Sequence, residues 1–284
     1  MPTIPTRKKA AKKKPDEVIE TLRPYRFHGM DMDFTKTHGE VSGDCPWCGR
    51  EGKFSVKCDT GQWRCFVCGE KGNSYTFLRM LWDISSIKGL DKLAESRKFI
   101  DTQELEAWGV RMSPLTRDWM MVGHGADGAL NQLYRYISMQ GKYRLLATPG
   151  HKHQLFGFQT YNKRCEQVYI CEGPWDGIGL LRAVRASGDT TSSVLAVPGV
   201  NVFQPAWAEL CAGRRVVLLF DSDHPKDNNG KPVQPAGLTG VKTAASVLAS
   251  CKNKPAEIVY LNWGAGGYDP SLPSGTDVRD ILYA

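Results

Sequence analysis

The chain has 284 residues, 41% of them hydrophobic and 24% charged, an ordinary globular balance in a chain long enough for two domains. No apolar run approaches the roughly 20 residues of a membrane span, and the amino terminus lacks the apolar stretch of a secretion signal, so a cytoplasmic location is expected. The net charge of +7 is misleading, because residues 1–14 hold six Lys/Arg and no acid and leave only +1 for the rest, so overall basicity is no argument for a nucleic-acid partner.

Residues 1–15 read as a basic disordered tail, and "DEVIETLRPYRF" then predicts a short helix capped by Asp16. The stretch "CPWCGREGKFSVKCDTGQWRCFVCGEKG" contains Cys45-x₂-Cys48 and Cys65-x₂-Cys68 with sixteen residues between the pairs, the spacing of a four-cysteine zinc ribbon. Glycine follows each pair at Gly49 and Gly69, where the tight turn of a metal knuckle favours positive φ. Four thiolates fill a tetrahedral shell, so the zinc is structural. Cys58 is a spare thiol or a competing ligand, and Cys165, Cys171, Cys211 and Cys251 read as ordinary semi-buried cysteines. Trp47, Arg50, Lys53, Trp63 and Arg64 would stack on and pair with single-stranded bases if exposed, whereas the alternative for the tryptophans is to fill the ribbon's small core.

"SYTFLRMLW" predicts a helix closing the ribbon module, and residues 83–112 read as a helical connecting region with Gly109 as a helix end. From residue 118 the pattern turns β-like, with a hairpin turn at Ala126-Asp127-Gly128. Between Gly128 and Cys165 lie Arg135, Lys142, Arg144, Lys152, Lys163 and Arg164 with no acid, a candidate anion-binding face. Apolar runs at 168–171, 194–197, 216–220 and 258–261 then alternate with helical stretches near 174–185, 204–211 and 238–250, the signature of a parallel sheet.

Acidic residues stand at the ends of two of these strands. Glu172 follows "VYIC" and precedes Gly173-Pro174, which halt the strand and open a helix. Asp221 and Asp223, two apart after "VVLLF", share a face if the strand stays extended. Carboxylates crowded this way repel unless hard cations neutralise them, and carboxyl ends of parallel strands are where such sheets bind ligands. Glu172 is thus a metal ligand or a base, while Asp277 in "PSGTDVRDIL" either approaches the cluster or caps the last helix.

These segments resemble the primases of bacteria and the primase-helicases of bacteriophages, with their topoisomerase-primase (Toprim) domain. "WRCFVCGEKGNSYTFL" is similar to the second half of the primase zinc ribbon, "KYRLLATPGHKHQLFGF" to the basic subdomain, "CEGPWDGIGL" and "LFDSDH" to the first two Toprim motifs, and "GTDVRDIL" to the closing Gly-x-Asp motif. The resemblance implies a multi-domain α/β chain. Its expected parts are the tail, a zinc-ribbon template-recognition domain at 16–82, a helical linker at 83–112, a basic α+β subdomain at 113–165 and a Toprim domain with a mainly parallel sheet at 166–284. It implies DNA-dependent synthesis of short RNA primers for replication. Glu172, Asp221 and Asp223 would be catalytic and, with Asp277, hold Mg²⁺ or Mn²⁺, two ions beside one structural Zn²⁺. Arg135, Lys142, Arg144, Lys152, Trp47, Trp63 and Arg64 would contact nucleotide or template.

The first ribbon pair is Cys-x₂-Cys where bacterial primases commonly use a histidine, so the resemblance is closer to the phage type. The loop after Asp223 is also long. The implied partners are a single-stranded DNA template, ribonucleoside triphosphates and a separately encoded helicase, since no Gly-x₄-Gly-Lys-Ser/Thr motif occurs in the sequence. The rival readings are a zinc/Toprim recombination mediator that binds DNA without synthesis, and a Toprim nuclease.

Overall fold

The computed structural model describes residues 18–97, 100–228 and 231–284 and divides at Ser74/Tyr75 into two units. The expected basic tail and the Asp16 cap lie outside the described residues.

In the first unit the predicted single helix is instead a 3₁₀ turn, Glu20–Leu22, followed by α1, Arg23–Phe27. Pro24 stands at the start of α1, where its missing N–H costs nothing but where it interrupts any longer helix. Four short strands follow in one antiparallel sheet: β1 (Glu40–Gly43), β2 (Phe54–Lys57), β3 (Trp63–Cys65) and β4 (Lys71–Gly72). Leu22, Tyr25, Val41, Phe54, Val56 and Trp63 fill its core. The Tyr25 hydroxyl donates to the Gly61 carbonyl at 2.5 Å, tying α1 to the β2–β3 hairpin.

The second unit opens with α2 (Ser74–Asp83), α3 (Leu90–Glu95) and α4 (Thr102–Ala107). The segment expected as a linker is core instead: Leu90, Leu93, Leu105 and Trp108 share one cluster with Met121 and Tyr134 of the β region and Ile178 and Val194 of the later α/β region. Its apolar positions are spaced to bury one side of each helix, and here that side has a partner. Trp108 is packed so closely that a Cβ on Gly177 would lie 2.1 Å from its ring, which explains glycine inside the helix that follows Glu172.

The β-like region forms an antiparallel sheet of β5 (Arg111–Met112), β6 (Trp119–His124), β7 (Leu130–Met139) and β8 (Lys142–Ala147). Beyond it β9 (Gln167–Cys171), α5 (Pro174–Ala186), β10 (Ser192–Ala196), a 3₁₀ helix at Pro205–Cys211 and β11 (Arg215–Leu219) succeed one another. The loop after Asp223 carries a small ladder, β12 (Lys226–Asn228) with β13 (Lys231–Val233), before α6 (Ala236–Ser250), β14 (Glu257–Tyr260) and α7 (Val278–Leu282).

The α/β strands pair in parallel in the order β10-β9-β11-β14. Val168 and Ile170 face one core cluster and Cys171 the other, as Leu195 and Val194 do on β10. Covering both faces is what makes these strands read as unbroken apolar runs. From β9 the chain moves outward to β10, then crosses back to place β11 on the other side of β9. The carboxyl ends of β9 and β11 therefore flank the point where strand order reverses, the usual ligand crevice of an open α/β sheet. Among the described residues no helix is long and apolar enough to cross a membrane.

Candidate functional site

The two cysteine pairs form matching knuckles. Gly49 N–H donates to the Cys45 carbonyl at 2.9 Å and Gly69 N–H to the Cys65 carbonyl at 3.2 Å, with φ of +69° and +78° at the two glycines. All four Sγ atoms lie within 4.8 Å of one another, with Cys45 to Cys68 at 3.9 Å and Cys48 to Cys65 at 3.7 Å. A tetrahedron with Zn–S bonds of about 2.3 Å has S···S edges of about 3.8 Å, so the residues fit zinc. Burial pushes the Cys65 thiol up, but the N–H groups of Cys68 and Val67 outweigh it and bring its pKa down to about 6, favouring the thiolate a metal needs. Cys58 is buried outside this set, so it competes for nothing.

Register pairs Cys171 of β9 with Leu219 of β11, which puts Glu172 level with Phe220 and beside Asp221. The Asp221 N–H reaches Glu172 Oε2 at 3.5 Å, and Asp223 Oδ2 accepts from Gly237 N–H at 3.1 Å in the first turn of α6. That helix starts against the Asp221 backbone, since a Cβ on Gly237 would sit 2.1 Å from the Asp221 carbonyl oxygen. A bridge between Ser222 and Thr276 brings Asp277 to the same end of the sheet.

Asp277 was open between ligand and cap, and the structure uses it as the cap of α7. Its Oδ1 accepts from Arg279 N–H at 2.7 Å, and its Oδ2 pairs with the Arg279 guanidinium at 2.5 Å. Both oxygens are engaged in the cap and the Arg279 pair. Arg279 also binds Asp176 Oδ1 at 2.8 Å. Asp176 and Arg279 were missed in sequence. The signal for Asp176 was present, because a residue four after a strand-end glutamate falls in the first turn of the helix that begins there.

The Arg279 guanidinium thus serves two of five neighbouring carboxylates, Asp176 and Asp277. Burial, then the charges of Glu172, Asp176, Asp277 and Asp223, push the Asp221 pKa up to about 9. Burial and the Asp223 charge raise Glu172 to about 7, and burial raises Asp176 to about 7 against the pull of Arg279. Such a cluster of hard oxygens suits divalent cations. Among the described residues the carboxylate oxygens do not converge within 4.8 Å as the sulfurs do, a spacing compatible with an ion that keeps some of its water.

Residues 26–107 match a family model described as the CHC2 zinc finger, of the ribbon type named for DnaG. The matched range takes in both cysteine pairs and runs on into the second unit. No curated protein sequence matches the chain. Solved structures similar to it include the zinc-binding and RNA polymerase domains of the Aquifex aeolicus primase, 16% identical over 93% of this chain and 79% of that one with a TM-score of 0.43. The primase fragment of the bacteriophage T7 primase-helicase is 16% identical over 85% and 93%, TM-score 0.42. The E. coli primase catalytic core is 13% identical over 73% and 72%, TM-score 0.43.

Within the four-cysteine ribbon Trp63 is core, not platform. It is 2% exposed, its Nε1–H donates to the Asn73 carbonyl at 2.8 Å, and its ring stacks on Trp47 with centroids 4.7 Å apart. A three-residue strand must bury one large ring to have any core at all, and this corrects the expectation that Trp63 meets template. Trp47 has one face covered by the same stack. Phe66, missed in sequence, is 59% exposed, and the Arg64 guanidinium lies 4.2 Å over its ring.

The basic residues divide as well. Arg135 donates from Nε to Asp118 Oδ2 at 3.0 Å across the β6–β7 ladder, so its charge is neutralised locally. Lys142 and Arg144 are exposed, and by strand alternation they project from the sheet face opposite Trp119, Tyr136 and Tyr143. Lys152 is exposed in the loop after β8.

Proposed function

We propose that the chain is a DNA-dependent RNA primase of the type found in the primase half of phage primase-helicases. The observation that carries the reading is the pairing, in one chain, of a four-sulfur CHC2 finger with a carboxylate cluster at the switch point of a parallel sheet. The finger reads a short stretch of single-stranded DNA template, and the region from 113 onward, with its Toprim part at 166–284, joins ribonucleotides opposite it. Glu172, Asp221 and Asp223 hold Mg²⁺ or Mn²⁺, and Asp277 and Asp176 act on them through charge and through Arg279. A divalent cation there supplies neutralisation of the phosphates and of the developing charge as the 3′-hydroxyl attacks and pyrophosphate leaves. Asp221 follows two residues after the end of β11, and the Asp223 carboxylate is tied to the first turn of α6. Lys142, Arg144 and Lys152 attract the polyanion, a contact that weakens with salt. A separately encoded helicase supplies unwound template, and the reaction belongs in the cytoplasm.

Incubating the protein with single-stranded templates, ribonucleotides and Mg²⁺ or Mn²⁺ tests this. Short template-dependent RNA that Asp221→Asn cannot make is the expected product. Shortened template without nucleotides would make the chain a nuclease instead, and DNA binding without any product would make it a mediator.

A further inference from the structure

Arg279 divides the carboxylate cluster into two halves. Its Nε lies 2.8 Å from Asp176 Oδ1 as an ion pair outside hydrogen-bond alignment, and its Nη2 donates to Asp277 Oδ2 at 2.5 Å. The side chains of the two acids are only 10% and 11% exposed and that of Arg279 23%, so the three groups neutralise one another largely out of water. Asp277 Oδ1 is spent on the α7 N–H groups of Arg279 and Asp280, at 2.7 and 3.2 Å.

The fold makes room for this arginine. A Cβ at Gly179 would lie 2.8 Å from Arg279 Cγ and 3.0 Å from Cδ, so glycine on α5 leaves the space that the arginine stem fills. The Tyr283 hydroxyl donates to the Gly179 carbonyl at 2.9 Å and holds the end of α7 to α5 at that point. Glycine inside a helix weakens it, and here the loss is matched by a seat for a cation.

A guanidinium keeps its charge and, unlike a bound ion, cannot dissociate. It stands where two buried carboxylates would otherwise need a cation from solution. The charges that raise Glu172 and Asp221, after burial, come from other acids, so the outer half has no such built-in partner.

We infer that Arg279 is a positioning residue, a built-in cation that reserves Asp176 and Asp277 and confines divalent ions to Glu172, Asp221 and Asp223. The inner half then packs before any ion arrives. Withdrawing the guanidinium opens one more cation site, between Asp176 and Asp277. The inference rests on the reading of the cluster as a metal site, and counting ions separates the failure of one from the failure of the other.

Mn²⁺ binding to the zinc-loaded full chain, read by electron paramagnetic resonance as free Mn²⁺ is depleted, tests this without nucleotide or template. Arg279→Gln should bind about one Mn²⁺ more than wild type, Arg279→Lys should bind the wild-type number, and adding Asp277→Asn to Arg279→Gln should take the extra ion away. Mn²⁺ should also raise the melting temperature of Arg279→Gln more than that of wild type, because an ion bound only by the folded state stabilises it. An arginine with a packing role alone would lower the melting temperature equally with and without Mn²⁺.

The inference is overturned if Arg279→Gln binds the wild-type number, or if the double variant keeps the extra ion. Should Arg279→Gln unfold without Mn²⁺, added Mn²⁺ must restore its transition, and failure to do so overturns the inference as well. Wild type that binds no Mn²⁺ while Arg279→Gln binds one would support the inference and remove the metal reading of the other three acids. No Mn²⁺ on either protein overturns both.

Discussion

The four cysteine thiols and the sheet-edge carboxylates are opposite ways of crowding acidic groups. In the ribbon, four ligands from two knuckles converge to 3.7 and 3.9 Å, and local backbone hydrogen bonds fix them there. At the sheet edge, carboxylates from distant segments repel, and among the described residues Arg279 offsets two of them, Asp176 and Asp277. The first arrangement completes a closed shell and suits a metal that stays. The second is poorly neutralised by its own residues and has the hard oxygens that a divalent cation prefers.

The largest expected effect breaks the ribbon side. Cys65→Ser should abolish zinc binding, on the order of 10 kcal/mol of coupled folding energy, and unfold the finger while the unit from Tyr75 onward keeps its melting transition. One equivalent of zinc retained by the variant would refute the tetrathiolate. Next, Arg279→Gln should cost about 3 kcal/mol by leaving the buried Asp176 beside Asp277 without a cation, read as a lower denaturation midpoint.

Asp221→Asn should do the reverse to stability. The folded pKa of about 9 lies above the value of an unfolded aspartate, so ionisation favours the unfolded chain and the metal-free protein loses stability as pH rises from about 4 to 9. Removing the charge should therefore stabilise the metal-free protein by about 1 kcal/mol or more at pH 8, and flatten that pH dependence, even as it removes synthesis. A destabilised variant would contradict the repulsive cluster. The smallest effect is expected at Phe66, where alanine should change stability by no more than about 0.5 kcal/mol, whereas Trp63→Ala should cost about 3 kcal/mol or more.

Much of this was legible because it is local. Cysteine spacing and the glycines after each pair determine the knuckles over a few residues, and unbroken apolar runs ending in acids locate Glu172 and Asp221 at strand ends. What sequence hid depends on partners distant along the chain. Arg279 reaches Asp176 and Asp277 only after α5 and α7 pack, and Arg135 meets Asp118 only across a ladder. Nothing local says which tryptophan of the ribbon the β-sheet encloses, and so Trp63 and Phe66 exchange the roles their neighbours suggest. The helices at 90–107 read as a connector because amphipathic patterning shows that a face is buried but not against what. Alternation in "KYRLL" was visible too, but not that Tyr143 lies on Tyr136 and Lys142 on the other face.

The central claim is that the switch-point carboxylates make RNA on template read by the finger. Ribonucleotide incorporation on a library of single-stranded templates, comparing wild type, Asp221→Asn and Cys65→Ser, tests it most directly. The account predicts short RNA from wild type at a restricted set of template sequences, none from Asp221→Asn, and loss of that sequence restriction or of all product from Cys65→Ser. Equal product from wild type and Asp221→Asn, or none from wild type with a helicase supplied, would contradict it.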